Sequence, residues 1–85
     1  MKTENSLSNE MKIFGKNIAY LRTKNNLSKT SMAKIMHVGM QTLNKIENGE
    51  IPKKMDIDVF DNVYKAFGIA PHEQLSIDLT NGTEA

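Results

Sequence analysis

Apolar residues recur at helical spacing near the start of the chain. In residues 10–25, Phe14, Ile18 and Leu21 stand at positions i, i+4 and i+7, which places them on one face of an α-helix. The asparagine pair at 25–26 predicts the end of this helix, because asparagine tolerates the left-handed conformation that closes helices. The pattern therefore predicts a first helix over this range.

Two shorter helices with a tight turn between them are predicted next. Ser28 is a suitable N-cap for the second helix, and the third helix runs from residue 40 to about residue 48. Leu43 and Ile46 form the apolar pair of the third helix. The inward positions of the second helix hold small or flexible apolar residues, namely Met32, Ala33 and Met36.

The remaining chain predicts two further helices and a terminal strand. Asp56 is a suitable cap for a fourth helix, and Pro71 fits the first turn of a short fifth helix around residues 72–75. The apolar stripe of the fourth helix consists of Ile57, Phe60, Val63 and Phe67. Leu75, Ile77 and Leu79 then alternate with polar residues, a period of two that is typical of a strand. We therefore expect an all-α fold of five helices with a short C-terminal strand.

The composition fits one small globular domain. The chain has 85 residues, of which 39% are hydrophobic and 25% are charged, so it can bury a single core. The absence of cysteine excludes a disulfide scaffold, a thiolate metal site and a cysteine nucleophile. We expect no metal and no cofactor. The polar start and the lack of a long apolar run predict a cytoplasmic protein without a membrane partner.

The formal net charge of +1 conceals a strong asymmetry along the chain. Residues 11–54 contain nine Lys or Arg and two Glu, a net charge of +7, whereas residues 55–85 contain one Lys and six acidic residues, a net charge of −5. A basic block joined to an acidic block indicates that one face binds a polyanion. A charged surface that only faces solvent is the alternative at this point.

Residues 29–48 predict two helices that cross near a right angle. Such a crossing needs a small residue midway along the first helix of the pair, and Ala33 supplies it. The exposed face of the following helix holds Met40, Gln41, Thr42, Asn44 and Lys45. Glutamine and asparagine can pair with adenine, lysine donates to guanine, and threonine and methionine offer contacts to the thymine methyl group. This face therefore predicts contacts to base edges in the major groove of DNA.

The stretch LSKTSMAKIMHVGMQTLNKIENGE resembles the helix-turn-helix of the Cro/cI-type (XRE-like) bacterial and phage repressors. The positions that match the family pattern are Leu27, Ser28, Ala33, Val38, Thr42, Ile46, Glu47, Asn48 and Gly49. The likeness extends over about residues 12–75. It implies a five-helix, lambda-repressor-like DNA-binding domain in a bacterial or phage-encoded, nucleoid-associated protein.

Several positions depart from the family pattern. His37 stands at the turn glycine, so we expect a histidine in the left-handed conformation. Lys29 replaces a frequent glutamine that braces both a phosphate and a recognition side chain, and we expect lysine to keep only the phosphate role. Gly39 replaces a capping serine, and Met40 occupies the first recognition position. These changes alter the expected target sequence and leave the expected binding mode intact.

The resemblance and the residue chemistry together assign roles to named side chains. Base contacts are expected from Met40, Gln41, Thr42, Asn44 and Lys45. Phosphate contacts are expected from Ser28, Lys29, Asn48, Lys53 and Lys54. Dimerisation is expected through Ile69, Leu75, Ile77 and Leu79. Glu47 is expected to pair with a first-helix cation such as Arg22.

The chain is expected to divide into three parts. Residues 1–9 are polar and aperiodic and predict a flexible N-terminal arm. Residues 10–76 form the DNA-binding domain with the helix-turn-helix at 29–48, and residues 77–85 form a tail or dimerisation segment. The expected partners are double-stranded DNA, a second copy of the chain and, as a further candidate, a regulatory protein.

Three functions are weighed on this basis. The first is a sequence-specific DNA-binding regulator, a repressor acting as a dimer on a two-fold operator. The second is a module of the same fold used for protein contact, such as an antitoxin or antirepressor, with the acidic residues 55–85 as its principal surface. The third is an enzyme, which the sequence disfavours because no nucleophile, base and phosphate-binding loop converge.

Overall fold

The computed structural model describes the backbone of residues 2–82 and the side chains of residues 8–80. These residues form six helices: α1 (Lys2–Lys24), α2 (Lys29–Met36), α3 (Met40–Glu47), α4 (Asp58–Phe67), α5 (Pro71–Ser76) and α6 (Leu79–Gly82). Residues 2–82 contain no strand. The all-α class expected from the sequence is confirmed, and α6 takes the place of the predicted strand.

The core is built from the inward faces of α1 to α4. Its buried apolar members are Met11, Phe14, Ile18, Leu21, Met32, Ala33, Met36, Leu43, Ile46, Val59 and Val63. The rings of Phe14 and Phe60 lie 4.9 Å apart between centroids, which joins α1 to α4. The predicted stripes of the first three helices are therefore confirmed as core positions.

Helix α1 begins earlier than the sequence predicts. A flexible arm was expected up to residue 9, but the chain is helical from Lys2. Residues 2–9 contain neither proline nor glycine, so nothing in them interrupts a helix that the buried Met11 and Phe14 anchor. Polar sequence without an apolar period is compatible with a helical backbone as well as with an irregular one.

The apolar stripe of α4 differs from the predicted one at its first position. Ile57 is 79% exposed, whereas Val59 is buried and takes its place in the core. The helix begins at Asp58, and Ile57 is its N-cap residue without a side-chain capping hydrogen bond. Asp56 was expected to be the cap, so the observed cap lies one residue later and Ile57 stands outside the helix; Val59, four residues before Val63, fills the inward position instead. Phe60, Val63 and Phe67 pack inwards as predicted.

A glycine allows α3 to lie directly against α1. A Cβ atom built on Gly15 would stand 2.1 Å from the carbonyl oxygen of Ile46, which is a backbone atom that cannot rotate away. The pattern of apolar residues gives no sign of this contact, because glycine has no side chain to contribute to a stripe. Gly15 therefore sets the distance between the first helix and the C-terminal end of α3.

Buried Asn17 holds the C-terminal segment against α1. Its side-chain amide donates to the carbonyl oxygens of Gln74 at 2.9 Å and Ile77 at 2.8 Å, and its oxygen accepts from the amide of Leu79 at 2.9 Å. Both donors and the oxygen of that amide group are thus hydrogen-bonded in a site with 1% exposure. These bonds turn the chain after α5 towards α6, and the strand predicted over residues 75–79 is therefore wrong.

Gln74 extends this polar network to α4. Its side-chain nitrogen donates to the carbonyl oxygens of Phe60 at 3.0 Å and Ile69 at 2.8 Å. Its side-chain oxygen is buried and accepts no hydrogen bond from the described residues. The two donated bonds fix the link between α4 and α5, and neither Asn17 nor Gln74 was singled out in the sequence.

Asp78 stabilises the start of α6. The hydroxyl and the amide of Thr80 both donate to one Asp78 carboxylate oxygen, and Lys16 Nζ lies 3.6 Å from the other. The Thr80 hydroxyl bond is the main reason why the pKa of Asp78 is lowered. A lowered carboxyl pKa stabilises the fold above the ordinary aspartate pKa, and this contribution is lost as the pH falls through the lowered value.

Helix α1 has 23 residues, but its sequence is too polar to cross a membrane. Over the whole described part of the chain, no helix combines the length and the apolar character that a membrane span requires.

The replacement Gly15→Ala should destabilise the fold by about 1–3 kcal/mol, the usual cost of overpacking a filled site. The added methyl group meets the Ile46 carbonyl, so α3 must move away from α1. Urea unfolding followed by circular dichroism measures the change. The control is Gly39→Ser, because no atom lies within 4 Å of a Cβ at Gly39. Equal stability of the wild type and Gly15→Ala would contradict the contact.

Candidate nucleic-acid interface

The turn between α2 and α3 consists of His37, Val38 and Gly39. His37 has φ 60° and ψ 45°, the left-handed conformation predicted for it. Its amide donates to the carbonyl of Lys34 at 3.2 Å, and the Val38 amide donates to the carbonyl of Ala33 at 3.0 Å. Ala33 itself is 5% exposed, which agrees with a small residue at the helix crossing. The two helices are thus joined by a closed, hydrogen-bonded turn.

The N-termini of the two helices have the same backbone geometry and different caps. Ser28 has φ −77° and ψ 166°, and its hydroxyl accepts from the Ser31 amide at 3.1 Å, as the sequence predicts. Gly39 has φ −79° and ψ 166° and offers no side-chain cap. The first turn of α3 therefore has no side chain that covers its amides.

Helix α3 is held by one face and exposed on the other. Leu43 and Ile46 have no exposed surface, and Val38 packs against the same core. The five predicted base-contact residues lie on the remaining surface: Met40, Gln41, Asn44 and Lys45 are exposed and Thr42 is half-buried. The structure therefore brings the predicted contact residues together on one anchored helix.

An ion pair anchors the C-terminal end of α3 to α1. Arg22 Nε and Nη2 donate to the two carboxylate oxygens of Glu47 at 2.7 and 3.0 Å. The side chains are only 18% and 8% exposed, and the hydrogen bond to Glu47 raises the pKa of Arg22. Two parallel bonds between planar groups fix direction as well as distance. This pair was predicted, and it restrains rotation of α3 about its own axis.

The predicted phosphate-contact residues lie around α3. Lys53 and Lys54 line a shallow depression together with Gln41, Thr42 and Lys45 of α3. Ser28, Lys29 and Asn48 are also exposed. Buried Pro52 fixes the loop that carries the two lysines. The loop after α3 and the exposed face of α3 thus form one continuous surface with positive charge.

Two contacts on this surface were not predicted. Lys29 Nζ donates to Asn44 Oδ1 at 3.0 Å, so Lys29 contacts one of the predicted base-contact side chains, although only a phosphate contact was expected from it. Lys45 Nζ lies 3.7 Å from a Glu50 carboxylate oxygen. The first pair spans 15 residues across the turn and the second spans the end of α3. Neither contact lies within a single helix, so the spacing of residues along one helix could not predict it.

The predicted dimerisation residues do not form one exposed patch. Ile69, Leu75 and Leu79 are half-buried and pack against the core, whereas Ile77 is 45% exposed. Because residues 79–82 are helical, edge pairing between two strands is not available at this segment. Ile77 remains as the accessible member of the set.

In the described part of the chain, the histidine and acidic residues give little support for a metal site. His37 lines a depression with Asp56 and Asp58 between the end of α2 and the start of α4. No group of three or more histidine and acidic residues in the described segment is arranged to hold a metal ion. His72 is exposed at the start of α5.

The replacement His37→Gly should stabilise the fold by about 0.5–1 kcal/mol, because glycine adopts the left-handed conformation without the strain caused by a Cβ atom. His37→Ala keeps that atom and should be less stable than His37→Gly. The measurement is the midpoint of urea unfolding for the three proteins. A glycine variant less stable than the alanine variant would show that the imidazole stabilises the turn.

The replacement Glu47→Gln should cost about 1.5–3 kcal/mol, the range for a hydrogen bond between charged groups, because Arg22 would keep its charge in a half-buried site. The matched control is Glu50→Gln, which breaks the exposed Lys45 pair and should cost less than about 0.5 kcal/mol. Thermal unfolding distinguishes the two replacements. Equal costs would contradict the anchoring role of Glu47.

The comparisons with known proteins agree with this geometry. A helix-turn-helix family model matches residues 18–71, which include the C-terminal part of α1 and all of α2, α3 and α4. A search of curated proteins and a search of solved structures each gave no match. The family match covers more than half of the chain and includes the turn and the exposed helix described above. The chain therefore belongs to the Cro/cI-type (XRE-like) helix-turn-helix family of DNA-binding regulators.

Proposed function

We propose that this protein is a sequence-specific transcriptional regulator, a repressor that binds a two-fold operator as a dimer. The observation that carries the proposal is the arrangement of α3. Its inner face is fixed by Leu43 and Ile46 and by the Glu47 ion pair, while its outer face offers adjacent polar side chains. A helix held this firmly on one side can enter the major groove without losing its orientation.

The outer face of α3 provides the chemistry for base recognition. Gln41 and Asn44 carry amide groups, Lys45 carries an ammonium group, and Met40 and Thr42 carry methyl groups. Base edges in the major groove present acceptors, donors and the thymine methyl group in a distinct order for each base pair. We assign these five residues to base contacts.

Phosphate contacts are assigned to residues around that helix. Lys53 and Lys54 share a depression with α3, and Ser28 and Lys29 lie at the N-terminus of α2, where amide groups favour an anion. Asn48 follows the last turn of α3. Contacts of this kind position a protein on the duplex and make its affinity depend on salt concentration.

A dimer is proposed because one helix reads too few base pairs to define a site in a genome. Two copies related by a two-fold axis would place their α3 helices about 34 Å apart, one turn of DNA. Ile77 is the exposed apolar residue of the predicted set, whereas Ile69, Leu75 and Leu79 are half-buried against the core. We place the protein in the cytoplasm of a bacterium or in a phage-infected cell, bound to the nucleoid.

A protein-contact module is the competing function. The acidic residues of 55–85 would then be the main surface, and DNA affinity would be absent at low as well as at moderate salt. A gel shift on random genomic fragments at two salt concentrations separates the two functions. Within residues 8–80, whose side chains the structure describes, no convergent catalytic group favours an enzyme, so we propose a binding role.

Gln41→Ala should weaken binding to the selected DNA site by about 1–3 kcal/mol and relax the preference at one base position. The double replacement Lys53→Ala and Lys54→Ala should weaken all sequences alike. It should also reduce the slope of log affinity against log salt concentration by roughly 0.9 for each lost contact. Fluorescence anisotropy across a salt series measures both effects. A uniform loss for Gln41→Ala, or an unchanged slope for the lysine variant, would overturn the corresponding assignment.

Ile77→Asp should shift the sedimentation profile from dimer to monomer and remove cooperative binding to a full operator. Ile57→Asp is the matched control, because Ile57 is more exposed and lies at the start of α4. Point replacement is preferable to truncation after Gln74, since truncation would also remove two hydrogen-bonding partners of Asn17. A dimeric Ile77→Asp variant would place the interface elsewhere.

A further inference from the structure

The contact between Lys29 and Asn44 joins the start of α2 to the middle of the exposed face of α3. The lysine ammonium donates to Asn44 Oδ1 at 3.0 Å, and both residues are exposed. An ammonium group can only donate, so the chemistry fixes the orientation of the asparagine amide: its oxygen faces Lys29 and its nitrogen points away. Asn44 thus has a defined donor side.

Lys29 stands at a position that is unfavourable for the stability of α2. It is the first residue of the helix, and the first turn contains no acidic residue. A cation at a helix N-terminus opposes the helix dipole. Lys29 therefore does not stabilise α2 through its charge. Its ammonium group instead forms a hydrogen bond with Asn44 of α3.

From this geometry we infer that Lys29 and Asn44 act as one unit that presents the ammonium of Lys29 and the amide nitrogen of Asn44 as donors to the base edge and selects guanine. The inference rests on the proposed function and specifies what its exposed helix reads. Guanine presents two acceptors, N7 and O6, in the major groove, whereas adenine presents one acceptor and one amino group. The unit therefore complements guanine and opposes adenine.

A free asparagine would have the opposite preference. Its amide pairs with adenine by donating to N7 and accepting from the N6 amino group. In this protein, an amino group approaching Asn44 Oδ1 would also approach the ammonium of Lys29, which repels its partial positive charge. Water leaves the groove when the complex forms, so this electrostatic effect is stronger on DNA than in the free protein. Lys29 is a positioning residue that sets the base preference of Asn44.

The test is selection of bound fragments from a random DNA library by the purified full chain and by its variants. The wild type should select guanine at one position of each half-site. Lys29→Met should change the preferred base at that position to adenine, by roughly tenfold in relative affinity. Asn44→Ala should remove the preference there. Circular dichroism checks that each variant is folded.

Two control variants separate base reading from loss of charge. Lys29→Arg keeps an all-donor group and should keep guanine. Lys34→Met removes one exposed charge from the same helix and should leave the whole motif unchanged. Weaker binding of Lys29→Met to every sequence, with an unaltered motif, would overturn the inference and restrict Lys29 to a phosphate contact.

The failure of this inference is distinct from the failure of the proposed function. Adenine at the Asn44-dependent position of the wild-type motif would overturn the inference and leave DNA recognition intact. A library from which the wild type enriches no motif at low or moderate salt would overturn the proposed function, and the inference with it.

Discussion

The position of α3 depends on its direct contact with α1 at Gly15. The Ile46 carbonyl lies where any larger residue would place its Cβ atom, so the two helices meet backbone to backbone at this point. About two turns further along α1, Arg22 donates two hydrogen bonds to the Glu47 carboxylate. A close steric contact and a directional ion pair together restrain α3 along its length and about its axis. The exposed face can carry varied side chains because it takes no part in this packing.

A second set of restraints holds the C-terminal segment. Asn17 and Gln74 are buried polar residues whose side-chain donors all reach backbone carbonyls outside their own helices. Buried amides of this kind fix the course of the chain more narrowly than apolar packing does, because each bond has a preferred direction. The half-buried Ile69, Leu75 and Leu79 cover the core from the same side. Contacts with α1 therefore position both the surface proposed for base recognition and the surface proposed for dimerisation.

Helical periodicity predicted the helices and most of the core, because the stripes of α1, α2 and α3 each follow a single face. It failed at Ile57, which is the N-cap residue of α4 and leaves the inward position to Val59, and at residues 75–79, where apolar alternation arose from the end of one helix and the start of the next. The Arg22–Glu47 pair and the left-handed His37 followed from the family pattern. The family pattern also has a bracing side chain at position 29, but lysine was expected to lose that contact. Its partner Asn44 follows from the angle between two helices rather than from spacing within either.

The central claim is that the anchored α3 enters the major groove with its outer face. Methylation interference on selected DNA tests it most directly, because dimethyl sulfate modifies guanine N7 in the major groove and adenine N3 in the minor groove. The account predicts interference at guanine N7 in two clusters about one helical turn apart. Interference confined to adenine N3, or a selected site whose guanines can be methylated without effect, would contradict it.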